Sequence, residues 1–225
     1  MAKAPIAVAL DGPDLHTIRG WIDAVAPHVS TLKVGLETYL RDGEAAVAAA
    51  NAAGCDLFLD LKLHDIPNTV GGAARSIARF APTYLTVHAL GGADMIAAAV
   101  KELPSTRITA VTILTSMDDA ALQSIGISDS PLDAAVRLAQ LAVGAGARAI
   151  VCSPQEVAAI RAVVPADITL ITPGVRPAGA DAGDQKRIAT PEQAIAAGAD
   201  LVVIGRPITG APDPGAAAAT IGASL

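Results

Sequence analysis

The stretch "LDLKLHDIPNT" (Leu59–Thr69) sets an acid and a base two residues apart in an apolar run, with a second acid, Asp65, just beyond. The run reads as a β-strand. Side chains along a strand alternate faces, so Asp60 and Lys62 share one face while Leu59, Leu61 and Leu63 take the other. A chain this apolar needs a reason to place an acid beside a base on one face of an interior strand.

On either side of this stretch, apolar and β-branched runs of the same kind recur. They are "IAVAL" (6–10), "TLKVG" (31–35), "LFLDLKL" (57–63), "YLTVHAL" (84–90), "RITAVTIL" (107–114), "RAIVCS" (148–153), "ITLITPG" (168–174) and "LVVIGR" (201–206). Ala-rich segments with helical spacing lie between them, such as "GEAAVAAANAAG" and "PLDAAVRLAQLAVGAGA". The stretches "AAGCD", "GAGAR" and "AAGAD" look alike: in each, a helix closes on Gly before the next strand begins. Eight strands alternating with helices, without a break in composition, predict a parallel α/β fold. The count of eight favours a closed, single-domain (β/α)8 TIM barrel over residues 1–225 rather than an open doubly wound sheet. The first strand is followed by "DGPD" and not by GxGxxG, which removes the best sign of a dinucleotide fold. The longest irregular piece, "GVRPAGADAGDQKRIA" (174–189), has the length of a lid or binding loop.

Composition narrows the partners. Hydrophobic residues make up 52% of the chain and charged ones 17%, so there is ample material for a core and no case for disorder. Aromatics are only 2%, which leaves the interior to Ala, Val, Leu and Ile, as in parallel strands covered by Ala-rich helices. A formal charge of −6 without any run of Lys or Arg argues against nucleic acid and anionic membrane as main partners. A small anionic substrate needs only a few placed cations and stays open. No apolar run approaches the length of a membrane span, and "MAKAPIAVALDGPD" is too short in apolar residues for a signal peptide. Cys55 and Cys152 lack metal or redox spacing and read as reduced thiols of a cytoplasmic protein.

In such barrels chemistry collects at the C-terminal ends of the strands. Asp11 ends the first strand, Lys33 lies in the second, and Asp60 and Lys62 lie in the third with Asp65 after it. Burying any of these charges unpaired would cost several kcal/mol, but two cations and two anions (Lys33, Lys62, Asp60, Asp65) neutralise one another. A purely structural network is the alternative. A core built for stability would use aliphatic residues there, so the pattern points to work on a substrate. Gly174 and Arg176 after the seventh strand, with Gly205 and Arg206 after the eighth, have the composition of a phosphate site. No His/Cys/carboxylate cluster has metal-ligand spacing. Ser116 and Ser153 lack a His–Asp partner, and His64 and His88 read as structural.

These residues resemble the orotidine 5′-phosphate decarboxylase family. "LDLKLHDIPNTV" carries the likeness, with "VALD" (8–11), "LKVGLE" (32–37), "VTILTSM" (111–117), "VCSPQE" (151–156), "TPGVRP" (172–177), "AGDQKRIATPEQAIAAGAD" (182–200) and "VIGRPIT" (203–209) beside it. The Asp-x-Lys-x-x-Asp core is shared with phosphosugar decarboxylases, whereas "HDIPNT" is specific to the orotidine branch. The overall pattern resembles the shorter bacterial-type form. The resemblance implies decarboxylation of orotidine 5′-phosphate to UMP, the last step of pyrimidine synthesis, by a homodimer with no metal or organic cofactor. It implies Lys62 as proton donor at C6, Asp60 against the leaving carboxylate, and Lys33 between Asp60 and the ribose hydroxyls. Asp65 would come from the neighbouring subunit. Asp11 and Thr69 would lie at the ribose, Thr115 near the base, and Gln185 between base and phosphate. Gly205, Arg206 and Arg176 would serve the phosphate. Three rivals stay open on the residues alone: a metal-dependent phosphosugar decarboxylase, a Schiff-base aldolase using Lys62, and a non-catalytic phosphate binder.

Overall fold

The computed structural model describes residues 3–176 and 189–225. All eight apolar runs form strands: β1 (Ala4–Ala9), β2 (Val29–Gly35), β3 (Asp56–Leu63), β4 (Tyr84–His88), β5 (Arg107–Val111), β6 (Ala149–Val151), β7 (Thr169–Thr172) and β8 (Leu201–Ile204). Each pairs in parallel with the next, and β8 returns to β1, so the sheet closes as a barrel. Strands β4 to β8 stop two or more residues short of the apolar runs that predict them. The surplus residues have left the ladder and begin the loops of the C-terminal rim.

Strand alternation divides the apolar residues into two cores. Ala7, Phe58, Tyr84, Ala149, Ile171 and Leu201 fill the barrel interior, where the Phe58 and Tyr84 rings lie 5.6 Å apart. Leu32, Leu59, Leu85, Ile108, Ile150 and Leu170 face outward into the layer between strands and helices. Two of the chain's five aromatic residues thus fill the barrel interior, while the other three, Trp21, Tyr39 and Phe80, pack against the outer layer.

Helices cross back over the outside, among them Leu15–Val25, Pro67–Ile77, Ala93–Glu102, Pro131–Gly144 and Pro214–Gly222. Several start on a side-chain cap. Asp14, Ser130 and Asp213 accept hydrogen bonds from first-turn amides, and Thr190 with Gln193 forms a reciprocal capping box at Pro191–Ala196. The three junction glycines behave as the sequence predicts: Gly54, Gly146 and Gly198 have φ of +66°, +96° and +108°. Among the described residues no helix is long and apolar enough to cross a membrane.

Candidate active site

Asp60 and Lys62 point into the barrel while Leu59, Leu61 and Leu63 pack against the outer layer, as alternation requires. The strand carrying them is not regular. Leu59 pairs with Leu85, but Leu63 pairs with Val87, so four steps along β3 are matched by two along β4. Lys62 lies inside this bulge with φ of +48°, a conformation that costs a non-glycine residue about 1 kcal/mol or more. Its backbone N–H donates to the Thr86 side-chain hydroxyl at 2.8 Å.

The charges form one chain. Lys62 Nζ donates to Asp60 Oδ1 at 2.7 Å, Lys33 Nζ lies 3.1 Å from Asp60 Oδ2, and Asp11 Oδ2 lies 3.8 Å from Lys33 Nζ. Lys33 is buried and Asp60 nearly so, whereas Asp11 and Lys62 reach toward solvent. Burial by itself would raise the Asp60 carboxyl; the charges of Lys33 and Lys62 and their hydrogen bonds outweigh it and bring the pKa down to about 2. Burial likewise opposes the Lys33 charge, and Asp60 and then Asp11 overcome it, so Lys33 titrates above its ordinary range. Both groups are therefore ionised at neutral pH.

This chain forms one wall of a cavity of about 690 Å³ at the C-terminal rim. Arg206, Gly205, Gly174 and Arg176 line it on the β7–β8 side, and Thr115 and Ser116 line it beyond β5. Gly174, at φ +75°, turns the chain after β7, and Val175 and Ala189 pair across the base of the 174–189 loop. The middle of that loop, including Gln185, lies outside the described residues. Asp65 and Thr69 are exposed and do not line this chain's cavity; the Asp65 carboxylate accepts from the Ile66 amide at 2.6 Å.

Three residues of the site escaped the sequence reading. Thr86 is fully buried, and its hydroxyl donates to Asp60 Oδ1 at 3.1 Å. Alternation in "YLTVHAL" puts it on the inner face with Tyr84 and His88, yet Thr is common in strands and carries no signal alone. Gly35 ends β2 where a Cβ would lie 2.8 Å from Asp11 Oδ1 and 3.0 Å from Lys33 Nζ, so any side chain would displace that pair. Glu37 lines the cavity from the first turn of the helix Leu36–Asp42. The His64 and His88 rings lie 5.4 Å apart, and burial lowers the His88 pKa and favours its neutral form. Cys55 and Cys152 are both free thiols. Among the described residues no three His, Cys, Asp or Glu side chains gather as a metal-holding group.

The sequence profile described as orotidine 5′-phosphate decarboxylase / HUMPS family matches residues 4–221. The chain belongs to this family. It is 68% identical to orotidine 5′-phosphate decarboxylase of Thermobifida fusca (strain YX), over 99% of this chain and 96% of that one. The enzyme of the same name from Anaeromyxobacter sp. (strain K) is 58% identical, over 98% and 97%. The crystal structure of orotidine 5′-phosphate decarboxylase from Lactobacillus acidophilus superposes with a TM-score of 0.86 at 34% identity, covering 99% of both chains. The decarboxylase family thus supplies near neighbours in both sequence and fold across the whole length.

Proposed function

We propose that this chain decarboxylates orotidine 5′-phosphate to UMP and CO2, the last step of de novo pyrimidine nucleotide synthesis. Lys62 serves as the proton donor, and no metal or organic cofactor takes part. Membership in the decarboxylase family supports the overall reaction. The observation that carries the mechanism is the buried Lys33–Asp60–Lys62 array, which holds an ammonium at the wall of a cavity sized for a nucleotide.

The chemistry asks for such an array. Breaking the C6–carboxylate bond releases CO2 and leaves the electron pair on C6 in the plane of the ring, where no π system delocalises it. A fixed positive charge must stand where the negative charge grows. Lys62 Nζ supplies it and then transfers a proton to C6, recovering that proton later from water. Asp60 holds Lys62 in place through its 2.7 Å contact and, ionised far below neutrality, lies against the leaving carboxylate. Lys33 neutralises the other Asp60 oxygen and reaches toward Asp11, which supports a role for both at the ribose.

The substrate phosphate is assigned to Arg206, the Gly205 backbone and Arg176, with Gln185 bridging it to the base and Thr115 near the base. Remote phosphate contacts of this kind drive closure of a loop such as 174–189 and dry the site. The exposure of Asp65 and Thr69 supports a homodimer in which this segment completes the site of a second copy. Free thiols and the absence of disulfides among the described residues support a cytoplasmic setting.

The test is the ultraviolet absorbance change of orotidine 5′-phosphate with purified protein in excess chelator. The wild type is expected to turn over unimpaired, and Lys62→Ala to lose about 10³-fold or more in kcat. Activity that collapses in chelator would favour a metal-dependent relative, and a substrate adduct trapped on Lys62 by borohydride would favour imine chemistry.

A further inference from the structure

We propose that Thr86 is a positioning residue, one that fixes the Asp60–Lys62 pair from behind without touching substrate. The inference rests on the mechanism above and extends it to a second layer. A single hydroxyl meets both members of the pair. It accepts the Lys62 backbone N–H at 2.8 Å and donates to Asp60 Oδ1 at 3.1 Å, the same oxygen that receives Lys62 Nζ at 2.7 Å. The result is a closed ring: backbone of Lys62, hydroxyl of Thr86, carboxylate of Asp60, ammonium of Lys62.

The bulge explains why such a ring is needed. Lys62 sits at φ +48° in the part of β3 that has lost register with β4, so its amide cannot join the ladder. A conformation of that kind persists only where its surroundings hold it. Thr86 is the group that does so, and it is well suited: fully buried, on the stiff β-branched scaffold of β4, and with both hydrogen-bonding capacities of its hydroxyl used. Asp60 in turn gains a neutral donor, so its orientation does not depend on the two lysines alone. A hydroxyl serving only to satisfy a buried amide would have no need to engage the carboxylate as well.

Thr86 is not among the residues lining the cavity, so its loss should leave substrate affinity nearly intact while blurring the placement of Lys62 Nζ. Steady-state decarboxylation is measured for wild type, Thr86→Val, Thr86→Ala and Thr86→Ser, with Lys62→Ala alongside. Two hydroxyl-free variants are included so that poor folding of one leaves the other to be read. The expected result is a kcat lower by about 10–100-fold in Thr86→Val and Thr86→Ala, with KM changed less than about threefold. Thr86→Ser, which restores the hydroxyl, should recover kcat to within about threefold of wild type. A kcat within about twofold of wild type in the hydroxyl-free variants would overturn the assignment, as would a Thr86→Ser enzyme no faster than they are. Substantial turnover by Lys62→Ala would instead overturn the mechanism on which the assignment rests.

Discussion

At Asp60 two large effects oppose each other, and their balance sets how the site responds to pH. Desolvation would neutralise the carboxyl, while Lys33 and Lys62 hold it ionised, and the cations win with the pKa at about 2. A carboxyl depressed below its unfolded value of about 3.9 contributes stability that is present above that value and lost as pH falls through the folded one. Lys33 is raised, so its contribution is present below the ordinary lysine range and lost only as pH climbs past its folded pKa. Both contributions are therefore flat across neutrality. The stability difference between wild type and Asp60→Asn, from urea unfolding, should hold constant from about pH 5 to 8 and shrink by about 2 kcal/mol as pH falls from 4 to 2. A difference that stays level through that acid range would show that the lysines do not hold the carboxyl down. The identities of Asp60, Lys62 and Lys33 were legible in the sequence because ionisable residues in apolar runs stand out. Thr86 and Gly35 were not, since each is ordinary for a strand and gains its meaning from what the closed barrel brings beside it.

Among the elements, the strands and the helix ends were the most readable features and the β3–β4 bulge the least. Apolar runs and junction glycines are local signals, and each of the eight runs became a strand with its neighbours in sequence as its neighbours in space. The two-residue offset between β3 and β4 depends on the pairing of separate segments and leaves no mark in either alone. The glycines offer a test of how far local reading can be trusted. Gly198, at φ +108° with Arg161 Cγ 3.4 Å from an added Cβ, lies where an L side chain is strained. Gly20 is exposed within the helix Leu15–Val25, with nothing within 4 Å of an added Cβ. Gly198→Ala should destabilise by about 1–2 kcal/mol, and Gly20→Ala should stabilise by about 0.5–1 kcal/mol. Urea midpoints read both; loss of stability in each would mean that backbone freedom does not separate the two sites.

On the scale of the molecule, the rim after β2, β3 and β4 carries a row of exposed apolar side chains. It exposes Leu36 and Leu40, Ile66, and Leu90, which follow these three adjacent strands in turn, and Asp65 and Thr69 stand among them. Large apolar side chains gathered on one rim are what a contact with a second copy would cover. The sequence alone left this open: "HDIPNT" leads into the helix Pro67–Ile77, and a chain read singly does not say whether that segment serves its own cavity or another's. If Asp65 serves the partner's site while Lys62 serves its own, the two losses can be separated by mixing subunits. Asp65→Ala and Lys62→Ala should each be nearly inactive alone. In a dimer formed from one of each, one site carries both lesions and the other carries neither. Random exchange makes half of the dimers hybrids, so the mixture should regain about a quarter of wild-type activity. Recovery on mixing, measured as decarboxylation against time after the subunits are combined, is the outcome that a shared site requires. Two inactive variants that stay inactive together, although exchange is demonstrated by differential tagging, would place Asp65 in its own chain's site or outside the chemistry.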